Sequence, residues 1–462
     1  MPANPFYYIP FISDQKHSSD SLSPPQYTSR MPPPRFPLVN ALLLVLSCAT
    51  DLGITAHAIP AAQPLAALSN HTITKTLPIT KRFNFTGSAG KILQHDQARA
   101  RALHARGMTL ATGATPPPTP DVGNVSIDNQ LATYLATVNV GSPPTSYELI
   151  VDSGSANTWV GSGKPYMQTS TSRRSRDNVA IEYGIGAIMI GAEFFDNVTL
   201  GPGLTVLGQS IGVASETFDF QGFDGVLGLG PADLTIGTLN PDSTSPTLTV
   251  ADNLFFQAAI TAHIHTLSFE PPSGGPTLNG ELTFGGTDPT RFIGAIIVAP
   301  ITTTPPASEY FGVNQILRYG QSETLLPNNP AIFDTGTSLI LLATDALKIY
   351  VALLGAELDE ATTLYRITPE TYESLESLFF TIGGTVFEFT ANAQIWPRNL
   401  NTMIGGTDDF VYLIVNDLGR ESGSGMDIVC GMMFLERFYA VFDIDNKRVG
   451  IANTQFTTAT VN

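Results

Sequence analysis

Two short stretches of this chain echo each other, and they restrict its fold more than any bulk property does. Residues 148–160 read Glu-Leu-Ile-Val-Asp-Ser-Gly-Ser-Ala-Asn-Thr-Trp-Val, and residues 331–342 read Ala-Ile-Phe-Asp-Thr-Gly-Thr-Ser-Leu-Ile-Leu-Leu. Each is an apolar run, then Asp-[Ser/Thr]-Gly-[Ser/Thr], then more apolar residues. A short apolar run that stops at a Gly reads as a buried strand ending in a tight turn. Asp152 and Asp334 would then sit on loops at the ends of buried strands. An unpaired buried charge is costly. Two such loops facing each other remove the difficulty, because the two carboxyls can share one proton.

The rest of the chain fits a duplicated β protein. Charged residues make up only 14% of 462, while Gly (41) and Pro (34) are plentiful. Few charges and many turn formers favour short strands over helix bundles. From about Val122 onward, apolar or alternating runs recur between Gly-rich turns, among them 134–140, 147–151, 179–183, 198–200 and 211–213. The second half repeats the style at 281–284, 292–298, 339–342, 378–382, 386–390, 410–415, 439–443 and 448–452. Helical content is expected to be small, with 345–354 and 369–377 the best candidates in this part of the chain. Asp152 is followed by Phe223-Asp-Gly-Val-Leu-Gly-Leu-Gly230, and Asp334 by Ile428-Val-Cys-Gly-Met432. Two copies of strand, Asp loop and apolar-apolar-Gly suggest two lobes with one Asp each.

Charge is unevenly placed. The net charge of −17 argues against a nucleic-acid partner. Residues 59–120 carry seven Lys/Arg and one acid, Asp96, so 7 − 1 = +6; residues 121–462 carry 13 Lys/Arg and 36 Asp/Glu, so 13 − 36 = −23. A basic segment ahead of an acidic body is a candidate electrostatic cover, with a solvated basic linker as the plainer reading. Within it, residues 98–106 are strong helix formers up to Gly107, and Thr115-Pro-Pro-Pro-Thr-Pro120 is a stiff linker.

The N-terminus reads as a leader. Residues 1–30 are expected to be disordered or a gene-model extension. Met31, Arg35, an apolar 36–49 run and Ala56-His-Ala58 have the three-part build of a secretory signal peptide over 31–58. The alternative is an uncleaved anchor, for which the apolar run is short. The expected location is extracellular, with the vacuole as an alternative. Four Asn-x-[Ser/Thr] triplets, at Asn70, Asn84, Asn124 and Asn197, are glycosylation candidates. Of the two cysteines, Cys48 lies in the leader, so Cys430 would be the only thiol of the mature chain.

On these residues the chain resembles the pepsin-like aspartic proteases, and among them the secreted fungal polyporopepsin-like branch. The resemblance spans about 121–455 and rests on the Val151–Trp159 motif, the Tyr183-Gly-Ile-Gly186 hairpin, Phe223–Gly228, Phe284-Gly-Gly286, Phe333–Ser338 and Phe438–Asp443. It implies an all-β bilobal fold, with two β-barrel-like lobes (121–289 and 290–462) related by pseudo-twofold symmetry around a central cleft. It also implies a zymogen of an acid endopeptidase that needs no cofactor or metal, acts as a monomer without membrane insertion, and binds extended polypeptides as well as its own propeptide (59–120).

The resemblance assigns roles residue by residue. Asp152 and Asp334 are the catalytic pair. Ser153 and Thr335 cross-bond the two loops, Gly154 and Gly336 allow close approach, and Ser155 and Thr337 bond the outer carboxylate oxygens. Tyr183, Gly184, Ile185 and Gly186 form a flap, with Trp159 as partner of the tyrosine hydroxyl and Ser338 near the substrate. Ile150, Phe218, Phe220, Phe223 and Val226 would line the main specificity pocket. The chain departs from the pattern at Ser153, usually Thr; at Ile185 and Ala187, where pepsins place Thr or Ser; and at Met432, where many have Asp. Rival readings are a silent protein-binding member of the fold and a carbohydrate-binding β-sandwich. Retention of both Asp residues argues against the first, and the paired loops argue against the second.

Overall fold

Alternating apolar residues and frequent Gly turns make strands the main regular structure of this chain. The computed structural model describes residues 74–83, 92–114, 132–184, 187–218, 220–271 and 277–462. The expected 1–30 extension, the 31–58 leader, Cys48, the 115–120 linker, Asn70, Asn84, Asn124, Ile185 and Gly186 lie outside the described residues.

In chain order the elements begin with β1 (Lys75–Phe83), α1 (Ile92–Thr112), β2 (Ala132–Val140), β3 (Thr145–Asp152), β4 (Trp159–Val160), β5 (Arg173–Glu182), β6 (Ile188–Gly201), β7 (Leu204–Phe218), β8 (Gly225–Gly228), β9 (Leu239–Asn240) and α2 (Val250–Phe256). They continue with β10 (Ile264–Phe269), β11 (Thr277–Phe284), β12 (Ile293–Pro300), β13 (Gly312–Tyr319), β14 (Glu323–Phe333), β15 (Ile340–Leu342), α3 (Thr344–Leu354), β16 (Glu357–Leu358), β17 (Tyr365–Ile367) and α4 (Pro369–Tyr372). The last are β18 (Leu378–Ile382), β19 (Thr385–Phe389), β20 (Val411–Tyr412), β21 (Val415–Asp417), β22 (Ile428–Cys430), α5 (Met432–Leu435), β23 (Phe438–Asp443) and β24 (Arg448–Asn453).

The internal repeat appears as one strand arrangement used twice. β3 runs parallel to β8, with Asp152 opposite Gly228, and β8 is antiparallel to β4. β14 runs parallel to β22, with Phe333 opposite Cys430, and β22 is antiparallel to β15. Parallel strands buried on both faces read as near-continuous apolar runs, which is why both Asp loops follow such runs. The glycines that close the followers admit neighbouring backbone. A Cβ on Gly228 would lie 2.3 Å from the Ala156 carbonyl carbon, and one on Gly431 would lie 2.1 Å from Leu339 O.

A 14-stranded sheet runs β12-β24-β23-β10-β11-β1-β2-β3-β8-β4-β7-β6-β5-β9, and a seven-stranded sheet runs β19-β18-β13-β14-β22-β15-β21. The larger sheet carries strands from both halves of the chain, with β10 pairing β23. Two expected elements are corrected. The 410–415 strand is two short strands, because Leu413 bridges Ile395 between them. The 369–377 helix is a single turn, because Leu378 is drawn into register with Tyr319 of β13.

The basic segment holds more structure than its composition suggested. β1 inserts between β11 and β2, with Leu77 opposite Leu282 and Ile79 opposite Ala136. Leu77 and Ile79 are buried, and each such side chain contributes about 1.5–3 kcal/mol by leaving water. Lys81 is 1% exposed and forms an ion pair with Glu436, which also accepts a 3.2 Å bond from Tyr134 Oη. α1 starts before the expected 98–106 span and passes through Gly107 to Thr112. Gly107 meets Pro306 and Tyr310 so closely that tertiary contact outweighs its weak helix preference.

Candidate active site

The ends of β3 and β14 are tied together by their hydroxyl residues. Ser153 N donates to Thr335 Oγ1 at 2.9 Å, and Thr335 N donates to Ser153 Oγ at 3.0 Å. Each hydroxyl then donates across to the other strand: Ser153 Oγ to Phe333 O at 3.0 Å, Thr335 Oγ1 to Val151 O at 2.7 Å. The four bonds are reciprocal, and all four partners are buried. This network sets the separation of the two carboxyls.

Asp152 and Asp334 have matched surroundings. Gly154 N donates to Asp152 Oδ1 at 2.9 Å and Ser155 Oγ to Asp152 Oδ2 at 2.6 Å. Gly336 N donates to Asp334 Oδ1 at 3.1 Å, and Thr337 Oγ1 donates to Asp334 Oδ2. The two Oδ1 oxygens face a shared space, and Arg99 of α1 fills it. Its Nη2 donates to Asp152 Oδ1 at 2.5 Å and to Asp334 Oδ1 at 2.8 Å, and its Nε donates to Asp334 Oδ2 at 2.7 Å.

The charges respond to this packing. Burial pushes the Asp152 carboxyl above its ordinary value; Arg99 opposes that and Asp334 adds to it. Burial also works against ionisation of Asp334. There the charge and hydrogen bonds of Arg99, with Thr337 and the Gly336 N–H, hold the carboxyl below its ordinary value. Arg99 is desolvated, yet the two carboxylates keep it firmly protonated. The pair titrates as a unit rather than as two independent acids.

A second contact fixes the same helix. Asp96, fully buried, accepts from Ser338 N at 3.1 Å and Leu339 N at 2.8 Å. Ser338 is therefore engaged by α1 through its backbone. Neither Arg99 nor Asp96 was singled out from the sequence. Their signal was helical spacing: Asp96, Arg99, Leu103 and Arg106 recur at intervals of three or four, so they share one face. Arg101 falls off that stripe and is exposed.

Tyr183 and Gly184, expected from the sequence to belong to a flap, lie over the helix. Trp159 Nε1 donates to Tyr183 Oη at 2.7 Å, and Gly184 lies against the backbone of Ala98 and Arg99. Tyr183 and Trp159 share a buried cluster with Ile150, Phe220, Phe223 and Val226. Phe220 makes edge contacts with the rings of Trp159, Tyr183 and Phe223. Phe218 is not part of that cluster; it is half-buried at the end of β7, opposite Ile188.

Comparison with known proteins places this geometry. The family described as eukaryotic aspartyl protease matches residues 133–454. Polyporopepsin of Irpex lacteus is 54% identical over 340 residues, which cover 74% of this chain and 99% of that protein. Cathepsin E of Cavia porcellus is 31% identical over 342 residues, 69% of this chain and 80% of that protein. The crystal structure of an aspartic proteinase from Irpex lacteus overlays with a TM-score of 0.71 at 46% identity, covering 84% of this chain and all of that one. The bilobal pepsin-like fold expected from the sequence is thus the fold of this protein, and the chain belongs to the eukaryotic aspartyl proteases as an aspartic-type endopeptidase.

Proposed function

We propose that this chain is the latent precursor of a secreted acid endopeptidase, with Asp152 and Asp334 as its catalytic pair and β1 and α1 as a propeptide. The observation that carries the reading is Arg99 Nη2 held between the two Oδ1 oxygens. That is the space an attacking water needs. While Arg99 occupies it, neither water nor a scissile carbonyl can approach.

The chemistry of the opened site follows from the carboxyl pair. Close carboxylates do not both ionise readily, as in aspartic proteases generally, so one keeps a proton. The ionised member takes a proton from water while the protonated member hydrogen-bonds the scissile carbonyl. Ser155 and Thr337 hold the outer oxygens and so orient the inner ones. An extended peptide would lie beneath Tyr183, bonded through its backbone like an added strand.

Acid is the release signal. The first proton enters the pair above the ordinary carboxylate range, because Asp152 is raised, and the second enters below it, because Asp334 is lowered. Each removes a charge from the Arg99 site. The expected new N-terminus lies between Gly107 and Val125. The test is acidification of the purified full chain, followed by terminal sequencing and digestion of a denatured protein with and without a statine-type inhibitor. Full activity of the unprocessed chain at neutral pH would overturn the precursor reading.

A further inference from the structure

Arg106 binds in a place the catalytic pair does not explain. Its Nη2 donates to Leu234 O at 2.8 Å and also to Ile236 O. The guanidinium is largely desolvated, which lowers its pKa, and among the described residues no carboxylate forms an ion pair with it. A half-buried cation without a counter-charge is costly unless dipoles replace the water it has lost. Here the two carbonyls do so. They lie at the end of the short Ala232–Thr235 turn, where final carbonyls lack helical N–H partners. Among the described residues only Arg106 donates to these two oxygens.

We infer that the carbonyl oxygens of Leu234 and Ile236 form a cation subsite that, in the opened cleft, takes the guanidinium of an arginine in the substrate. The inference rests on the reading that α1 leaves the cleft. Departure of α1 takes the donor away from both acceptors, one on buried Leu234 and one on half-buried Ile236, which then favour a replacement donor. Arg106 borders a cavity of about 240 Å³ whose far wall includes Leu234, Thr238, Asn157, Ile181 and Tyr183 and whose near wall is α1 itself, from Arg99 to Thr109, so departure of α1 leaves that far wall open to an incoming side chain. Arginine keeps its charge at the acid pH where the carboxyl pair shares a proton, so the subsite works when the enzyme does.

The helix also sets the distance. Arg99 marks the scissile position, and Arg106 lies seven residues on, about 10.5 Å at 1.5 Å per residue. An extended peptide covers that length in about three residues. The preferred arginine therefore falls two to four residues from the cleaved bond, on the Leu234 side only.

The experiment is a position scan with the acid-activated full-length protein. Otherwise identical peptides carry Arg or norleucine at each of four positions on either side of one cleavable bond, and kcat/KM is measured for each. The expected result is an Arg-to-norleucine ratio of about tenfold or more at one position, two to four residues out, and near unity elsewhere. General attraction of cations by the acidic body would raise all positions alike, and that result would overturn the subsite. Ratios near unity throughout, with norleucine peptides cleaved, would also overturn it and leave the peptidase reading intact. Failure to cleave any peptide after processing would instead overturn the reading on which the subsite rests.

Discussion

Arg99 grips Asp334 with two nitrogens, Nε at 2.7 Å and Nη2 at 2.8 Å, and reaches Asp152 with one of the same two. Breaking a buried pair of this kind costs about 3–5 kcal/mol. Arg99→Met should therefore loosen α1 and raise the pH midpoint of processing by about one unit or more. Arg99→Lys, which lacks the fork, should fall between. Gel densitometry of processing against pH checks this; an unchanged midpoint would show that Arg99 is not what holds α1.

Both carboxyls should be needed for hydrolysis. Asp152→Asn or Asp334→Asn should each abolish peptide cleavage and self-processing while leaving the circular dichroism spectrum unaltered, because each removes half of a shared-proton pair. Substantial turnover by either purified variant would refute the pairing.

Gly107 offers a test in which local and tertiary effects oppose each other. Ala favours an isolated helix over Gly by about 1 kcal/mol. A Cβ here, however, would lie 2.6 Å from Pro306 Cβ and 2.9 Å from Pro306 O and Tyr310 Cε2. Tyr310 is further fixed by donating to Leu103 O at 2.7 Å. Gly107→Ala should thus release α1 at higher pH despite better helix propensity. A lower processing midpoint would mean that the 304–310 loop yields.

Tyr183 should govern cleft closure. Tyr183→Ala is expected to reduce kcat/KM of the activated enzyme by one to two orders of magnitude, roughly 1.4–2.7 kcal/mol of lost transition-state stabilisation. The sequence alone suggested little cost in stability, but the ring is 8% exposed and sits at 5.3 Å from Phe220. The latent form should therefore lose about 3 kcal/mol and melt earlier. Tyr183→Phe should be milder, leaving the Trp159 N–H without its acceptor. Parental rates for Tyr183→Ala would sink the flap assignment.

Two buried groups should set the pH limits of the fold. His265 is enclosed by Phe284, Phe311 and Phe442, neither ring nitrogen has a hydrogen-bond partner among the described residues, and burial pushes its pKa down to about 3. The unfolded chain takes this proton near pH 6.5, so stability falls from there toward pH 3 as unfolding gains the proton. Glu193 is the converse: burial pushes it up to about 7, against a bond from Ser210. Its contribution is present below its unfolded value and is lost as pH rises through about 7. His265→Leu should raise Tm mainly at pH 3, and Glu193→Gln mainly at pH 8. Equal shifts at both pH values would contradict the linkage.

The sequence by itself determined the all-β bilobal class and the two Asp loops. A buried strand announces itself by an unbroken apolar run, and Gly marks where it must stop. It also showed matching followers, 223–230 after Asp152 and 428–432 after Asp334, each closing on a Gly, while their parallel pairing with the Asp strands came from the fold. The family resemblance grouped Ile150, Phe218, Phe220, Phe223 and Val226, and the structure clusters all of these but Phe218. That exclusion depends on where β7 ends, and strand ends are set by partners.

Only the tertiary structure decided which basic residue meets the carboxyl pair. Seven Lys/Arg gave the 59–120 segment its charge, and a sum of charges carries no geometry. Helical phase against the cleft placed Arg99 on the pair, Arg106 on the 234–236 carbonyls and Arg101 outside. β1 was likewise invisible, since its partners β2 and β11 lie far along the chain and a strand of nine residues has no identity apart from them. Backbone pairing at long range depends on the whole fold being in place, which local pattern does not encode.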